Sequence, residues 1–330
     1  MTNSLDTAPA RPEPDSIRPR NEDTGVRRPP LVLGSLAVLA TLVMLGHALV
    51  PNRVGRLGSL VETFLPWTGL AVPLLLLCTL ARRSRAAAVS VAVLPAVVWC
   101  SLFGGTLVDK REDGGNLTVV THNVNEHNPR PVRTARALAA SGADVVALEE
   151  LGGPSTAAYE RTLAGTYPYH SVQGTVGLWS RYPVADARAV DIAPWPRALR
   201  ATVRTPEGPV AVFVVHLMSV RFTAGSGFTS DARDAAARRL AAAVRAEPLP
   251  RTILVGDLNG TTDDRAFSGL TSQLRSVQAE SGAGFGASWP ASFPVARIDH
   301  ILVRGVEPRS AWTLPATGSD HLAVAASVRV

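Results

Sequence analysis

The chain has little cysteine. Its 330 residues hold two, Cys78 and Cys100, and both lie in long apolar runs. No disulfide can therefore form beyond residue 108, and no thiolate there can hold zinc. His-x-x-x-His spacing and the Gly-x-Ser-x-Gly elbow of serine hydrolases are also missing. No internal repeat is visible. A strong basic excess is missing where it would matter. Net charge is +6, but residues 1–108 carry +4 of it, which leaves +2 on residues 109–330. Nonspecific nucleic-acid binding usually needs more than that.

Three uncharged apolar segments, Leu31–Val50, Thr63–Ala81 and Ala86–Val108, are each about the length a helix needs to cross a bilayer. Pro66, Pro73 and Pro95 fall inside the second and third, which membrane helices tolerate. Residues 1–29 are rich in Pro, Arg, Asp and Glu and read as a disordered cytoplasmic tail. Residues 30–108 read as three transmembrane helices. With the tail inside, the inner flanks hold eight basic residues and the outer flanks four. The positive-inside rule then places residues 109–330 outside the cell membrane.

From Leu117 onward, short β-branched runs alternate with alanine-rich stretches. Strands are expected at Leu117–Thr121, Asp144–Leu148, Val176–Ser180, Leu199–Arg204, Val210–Val215, Thr252–Val255, Ile298–Val303 and Ala323–Val328. Helices are expected at Val132–Ser141, Thr156–Leu163, Asp231–Ala246 and Asp263–Leu270. Pro206-Glu207-Gly208-Pro209 reads as a hairpin turn, and Gly282–Gly286 as a loop. This mixture fits one α/β domain.

Polar groups recur at the strand ends. Thr252–Gly256 is followed by Asp257 and Asn259, two apart and so on one side of an extended chain. Gly256 lets another group approach its backbone. Asn123, Glu149, Glu150 and His216 follow other strands, Asp299 begins one, and Asp320 and His321 precede the last. Any one of these could be a turn-former or a solvated charge; together they suggest one converging polar site. Carboxylates and amides without thiols suit a hard cation, Mg²⁺ or Mn²⁺. Such a cation offsets phosphate charge during ester hydrolysis.

In order along the chain come Thr-His-Asn-Val-Asn (121–125), Leu-Glu-Glu (148–150), Gly-Leu-Trp-Ser-Arg-Tyr-Pro-Val (177–184), His-Leu (216–217), Gly-Asp-Leu-Asn (256–259), Arg-Ile-Asp-His (297–300) and Ser-Asp-His (319–321). The set resembles the endonuclease/exonuclease/phosphatase superfamily over about 117–330. The resemblance implies a four-layer α/β sandwich, here preceded by three transmembrane helices. It implies Glu150 as main metal ligand, with Asn123 and Asp320 near the metal. Asp257 would orient or deprotonate water, and Asn259 would contact phosphate. Asp299 and His321 would form an Asp–His pair facing the phosphate, and His216 would bind phosphate or act as an acid. Glu149 stands where many relatives have Gln. His300 should face away from the site as a structural residue.

With its membrane segments, the whole chain also resembles the VanJ-type membrane proteins of actinobacteria, which are associated with teicoplanin resistance. That likeness implies a substrate such as undecaprenyl pyrophosphate or a related lipid-linked phosphate. Arg221 and Arg233 would be either pyrophosphate contacts or solvated charges. A surface nuclease and a non-catalytic membrane sensor are the competing expectations.

Overall fold

The computed structural model describes residues 29–52, 55–81, 85–223 and 227–330. The expected tail, residues 1–29, lies outside them apart from its last residue, as do Arg53 and residues 82–84.

The N-terminal part is helical: α1 (Pro29–Gly46), α2 (Leu57–Phe64), α3 (Ala71–Leu80) and α4 (Arg85–Leu107). Helix α2 runs into α3 through a 3₁₀ stretch, Leu65–Leu70, which begins beside Pro66. A proline cannot donate to the α-helical ladder, so the backbone tightens there. The expectation of three membrane-spanning helices is corrected here. Among the described residues only Val32–Leu49 and Leu57–Leu80 are long and apolar enough to cross a membrane; Val91–Leu107 is apolar but shorter. The side chains of residues 82–90 in the third segment lie outside the description.

The remainder is a sandwich of strands β1 (Leu117–Asn123), β2 (Val145–Glu149), β3 (Tyr169–Gln173), β4 (Val176–Ser180), β5 (Val184–Ala189), β6 (Ala198–Thr205), β7 (Gly208–His216), β8 (Arg221–Thr223), β9 (Gly227–Thr229), β10 (Thr252–Asp257), β11 (Arg275–Ser276), β12 (Asp299–Arg304), β13 (Glu307–Thr313) and β14 (Val324–Arg329). The helices are α5 (Pro131–Ala140), α6 (Gly153–Leu163), α7 (Asp231–Arg245), α8 (Ser268–Thr271) and α9 (Val277–Ser281). The expected helix at Asp263–Leu270 is a 3₁₀ turn, Arg265–Phe267, leading into α8, because Asp264 caps the amide of Ala266 and starts the helical turn late.

One sheet has the order β13-β14-β1-β2-β4-β3, the other β11-β12-β10-β7-β6-β5. Alternation along each strand sends one side chain inward and the next outward. The inward set, including Val119, Val145, Leu199, Val212, Ile253 and Val303, fills the space between the sheets. The outward set packs under α5 and α6 on one side, through Val120, Leu138 and Tyr159. On the other side Phe213, Leu254 and Leu240 pack under α7 and α8. The result is a four-layer α/β/β/α sandwich. The hairpin at Pro206–Pro209 forms as expected, with Thr205 paired to Gly208.

The helical part is tied to the sandwich by named contacts. Ser59 lies against Asp264, Glu62 pairs with Arg265 at 2.8 Å, and the Trp67 indole donates to the carbonyl of Val295 at 2.8 Å. Arg56, at the end of the first loop, pairs with Asp231. The first loop and the sandwich therefore meet on the same side of the helices.

Candidate active site

Strand register brings the site together. Asp257 at the end of β10 is opposite His216 at the end of β7 and opposite Asp299 at the start of β12. On the facing sheet, Asn123 is opposite Glu149. The loop Gly318–His321, just before β14, is docked at the same end by Ser319 Oγ, which donates to the carbonyl of Asn123 at 2.6 Å. Two sheets thus present their polar ends across one gap.

The backbone around Asp257 is specialised. Gly256 has φ +136°, and a Cβ there would lie 1.9 Å from the carbonyl oxygen of Val215. The approaching group is the neighbouring strand, so only glycine fits. The extended geometry ends at Asp257. Asn259 is left-handed at φ 52°, and its backbone N–H turns back to Asp257 Oδ1 at 2.8 Å. Its side-chain amide reaches Asp257 Oδ2 at 3.2 Å and the Leu217 carbonyl at 3.0 Å. The two side chains therefore meet through a turn and not along a strand. Asn123 donates to the same Asp257 Oδ2 at 3.0 Å.

Asp299 lies across from Asp257. Its Oδ2 accepts from Ser288 Oγ at 2.6 Å and lies 2.9 Å from His321 Nδ1. His321 Nε2 points to Asp257 Oδ2 at 3.9 Å. Ligand atoms of Asp257, Asp299 and His321 all lie within 4.8 Å of one another, and all three residues are buried. His216 Nε2 is 3.7 Å from Asp257 and 3.6 Å from Glu150, whose side chain is 29% exposed at the mouth. Glu150 itself is left-handed at φ 59°, which turns the chain out of β2.

Burial and neighbouring charge set the protonation states. Burial, then the charge of Asp299, pushes the Asp257 carboxyl up to about 7. Burial also opposes charge on Asp299, but His321 overcomes it and holds that carboxyl below its usual range. Burial disfavours the His321 cation, yet Asp299 raises it to about 10. His216 is held well below its ordinary value by burial and then by the charge of Arg197. Glu149 is pushed well above its ordinary value by burial, partly offset by a hydrogen bond from Thr121 at 2.8 Å. The pattern is one firm cation, one firm anion, one carboxyl poised near neutrality and one neutral imidazole.

Several of these groups have unused capacity. Both ring nitrogens of His216, Asp299 Oδ1 and Glu149 Oε2 are buried without a hydrogen-bond partner. Each such group costs about 1–3 kcal/mol unless something binds it. The donor set is carboxylate, amide and imidazole, which fits a hard divalent cation.

The predicted residues do not all converge. Asp257, Asp299, His321, His216, Asn123, Asn259 and Glu150 share the site. The Asp320 carboxylate is exposed and accepts from Asn125 at 2.8 Å, at the rim. Arg233 is neither a phosphate contact nor solvated. It is buried against Asp234 and Asp264 and donates to the Asn259 carbonyl at 3.0 Å, because a buried guanidinium needs several acceptors. Arg221 is exposed on β8. His300 faces away from the cluster as expected, with Nε2 2.8 Å from the Gly260 carbonyl. Sequence reasoning missed Arg197 and Ser288. Arg197 spans the carbonyls of His216 and Leu217 at 2.9 and 3.2 Å. The residue before an antiparallel strand sits beside the residue ending its partner, so a register estimate for β6 and β7 would have located it.

The family model described as the endonuclease/exonuclease/phosphatase family matches residues 120–321. The chain belongs to that family. A search of curated proteins finds no significant match. Among solved structures, a functionally unknown conserved protein from Enterococcus faecalis aligns with TM-score 0.55 and 15% identity, over 64% of this chain and 99% of that one. A humanised D. rerio TDP2 aligns with TM-score 0.54 and 21% identity, over 65% and 99%. A Bacteroides thetaiotaomicron mannosyl-6-phosphatase aligns with TM-score 0.52 and 15% identity, over 65% and 100%. These likenesses concern the fold, and they leave about a third of this chain uncovered.

Proposed function

We propose that the chain is a membrane-anchored, divalent-metal-dependent phosphoesterase whose site faces outward and acts on a lipid-linked phosphate. The observation that carries the chemistry is the buried triplet Asp257, Asp299 and His321, with both ring nitrogens of His216 unpartnered beside it. A bound Mg²⁺ or Mn²⁺ would supply charge neutralisation on the phosphoryl oxygens. Glu150 and Asn123 are the ligands we assign to it, with Asp320 entering from the rim.

Asp257, poised near neutrality, takes a proton from the attacking water; Asn123 and Asn259 fix its oxygens. His321, charged and braced by Asp299, stabilises the negative charge that builds on the phosphoryl group. His216, with both ring nitrogens unpartnered, contacts a remaining oxygen, whereas Asn259, expected to contact phosphate, has its donors spent on Asp257 and the Leu217 carbonyl and serves as a positioning residue. Outward orientation requires the shorter apolar helix α4 to cross as well as the two longer segments; the arginine distribution and the Arg56–Asp231 contact, which joins the first loop to the sandwich, support that arrangement. A pyrophosphate such as undecaprenyl pyrophosphate, and a contribution to teicoplanin resistance, rest on the resemblance to VanJ-type proteins.

The test is phosphate release by the full chain in detergent, with polyprenyl pyrophosphate, polyprenyl phosphate and plasmid DNA in parallel. Release from the lipids, lost with a chelator and restored by Mg²⁺ or Mn²⁺, is the expected result. Nicking of DNA without lipid turnover would replace the reading with a nuclease. Lack of turnover on every ester would leave a binding protein. Protease added to intact cells should remove the sandwich, whereas protection of it would overturn the outward orientation.

A further inference from the structure

A second feature lies where the helices meet the sandwich. A cavity of about 670 Å³ is bounded by the 3₁₀ stretch after α2, by α3 and α4, and by domain loops at 261–263, 278–287 and 294–300. Its walls are mostly apolar. Trp99 and Phe103 from α4 meet Phe285 from the domain, with ring centroids 5.6, 6.3 and 6.0 Å apart. The Gly282–Gly286 loop now has a physical role. Gly284 and Gly286 are left-handed, with φ +67° and +59°, and together they turn Phe285 toward the helices. Trp67 and Trp99 each spend the indole N–H on a backbone carbonyl, Val295 and Pro66, and leave their ring bodies for apolar contact.

The cavity has two ends of different character. At the helical end Leu70 and Leu102, both cavity-lining, are 52% and 43% exposed, so it opens toward whatever surrounds the helices. At the domain end its lining includes Asp263, Arg297 and His300. Arg297 Nε and His300 Nδ1 are buried there without partners. This end lies behind the catalytic cluster, with three chain segments shared between them and with His300 on the opposite face of β12 from Asp299. Asn259 serves the cluster and Thr261 the wall; Ser288 serves the cluster and Ala287 the wall; Asp299 serves the cluster and His300 the wall. At roughly 3.3 Å per residue, the backbones of each pair lie within about 7 Å.

Building on the phosphoesterase reading above, we propose that this cavity seats the hydrocarbon chain of a single-chain, phosphate-headed amphiphile, with its head group beside the Asn259–Asp263 segment that the cavity wall shares with the catalytic cluster. The volume fits one chain. The 670 Å³ gives room for a long stretch of one hydrocarbon chain, with the remainder leaving by the open helical end. It also lies within the usual range for small-molecule sites. The charge fits as well. Arg297 at the domain end, beside the Asp263 carboxyl, has an unpartnered Nε donor to offer an anionic head.

The experiment uses the full chain in detergent and 12-bromododecyl phosphate as the probe, read by quenching of tryptophan fluorescence. Saturable quenching is expected. It should weaken at least ten-fold in the double variant Ala96→Phe/Ala287→Phe, which fills the cavity from both sides. Val72→Phe, on the helical side alone, should weaken it in the same direction and covers a folding failure of the double variant. A phosphatidic acid with two brominated chains should not compete; equal competition would overturn the single-chain assignment. Quenching that grows linearly with detergent mole fraction, or unchanged affinity in both variants, would overturn the cavity as a site. Turnover separates the two readings. The ratio of kcat/KM for dodecyl phosphate over p-nitrophenyl phosphate should fall at least ten-fold in the variants. Hydrolysis of both esters with that ratio unchanged would reject the cavity and keep the phosphoesterase. Saturable binding lost in the variants, without hydrolysis of any ester, would keep the cavity and reject the phosphoesterase.

Discussion

Two buried polar clusters lie on either side of the segment from Asp257 to Asp264, and they are assembled in opposite ways. At the sheet ends, Asp257 and Asp299 face each other with one imidazolium between them, while His216 and Asp299 Oδ1 keep hydrogen-bonding capacity unused. At the helical junction, Arg233 is completely buried and spends Nε, Nη1 and Nη2 on Asp234, the Asn259 carbonyl, Asp264 and Ser59. The first cluster can still bind something. The second can only hold its own parts together. They are linked through Asn259, whose side chain serves one and whose carbonyl serves the other. Unmet capacity, more than the presence of charge, therefore separates a chemical site from a structural one.

The largest effect should come from the unsaturated cluster. Asp257→Ala or His321→Ala should lower phosphate release about 10³–10⁴-fold, roughly 4–5.5 kcal/mol in the barrier. Urea unfolding should show only a small loss of stability for Asp257→Ala, because removing a carboxyl disfavoured by burial and by Asp299 offsets the hydrogen bonds lost from Asn123 and Asn259. Equal losses of stability and activity would make this cluster structural too and erase the contrast.

The saturated cluster should respond in the opposite sense. Arg233→Ala leaves Asp264, itself fully buried, without its partner. Breaking a buried pair in this way costs roughly 3–5 kcal/mol. A denaturant midpoint that falls accordingly, with residual activity per folded molecule preserved within about ten-fold, is the expected outcome. An Arg233→Ala protein with full stability and no turnover would return this arginine to the phosphate.

The same contrast explains what was legible beforehand. All eight expected strands are interior strands of their sheets: β14, β1, β2 and β4 in one, β12, β10, β7 and β6 in the other. Interior strands are buried on both faces and read as apolar runs. The strands that escaped notice in these sheets, β3, β5, β11 and β13, are the four edges. Tyr169–Gln173 and Val184–Ala189 contain no fully buried residue, so no apolar pattern marks them. Site residues at strand ends were visible for the same reason as their strands. Arg197 and Ser288 were not, because their proximity depends on register and on a loop returning from elsewhere. Arg233 was misjudged because an arginine on an amphipathic helix does not reveal which acids will meet it.

Glu149 offers a finer test of the unsaturated cluster. It is buried and pushed well above the ordinary value of 4.5, so the folded protein holds a proton that the unfolded chain releases. Its contribution to stability is present below pH 4.5 and is lost as pH rises from there toward the folded value, at about 1.4 kcal/mol per pH unit. Glu149→Gln keeps the acceptor for Thr121 and has nothing to titrate. The variant should match the parent near pH 4.5 and gain on it as pH rises to 7, by denaturant unfolding at each pH. A constant difference between the two would mean that Glu149 is ionised, and that the cluster carries one more negative charge than described.

The smallest effect tests whether saturation extends to the edge of the junction. Arg56 and Asp231 pair where the first loop meets the start of α7, but their side chains are 30% and 77% exposed. Exposed pairs contribute about 0–1 kcal/mol. Asp231 also lies in the first turn of α7, where the helix N-terminus favours a carboxylate with or without the arginine. Arg56→Ala should therefore cost less than about 1 kcal/mol in 50 mM salt and nothing measurable in 1 M, where exposed charges are screened beyond about 3 Å. A loss of more than 2 kcal/mol that survives high salt would show that the loop is clamped as firmly as Arg233. The helical part and the sandwich would then be one rigid unit out to its periphery, and the saturated cluster would be larger than the residues around Asp264.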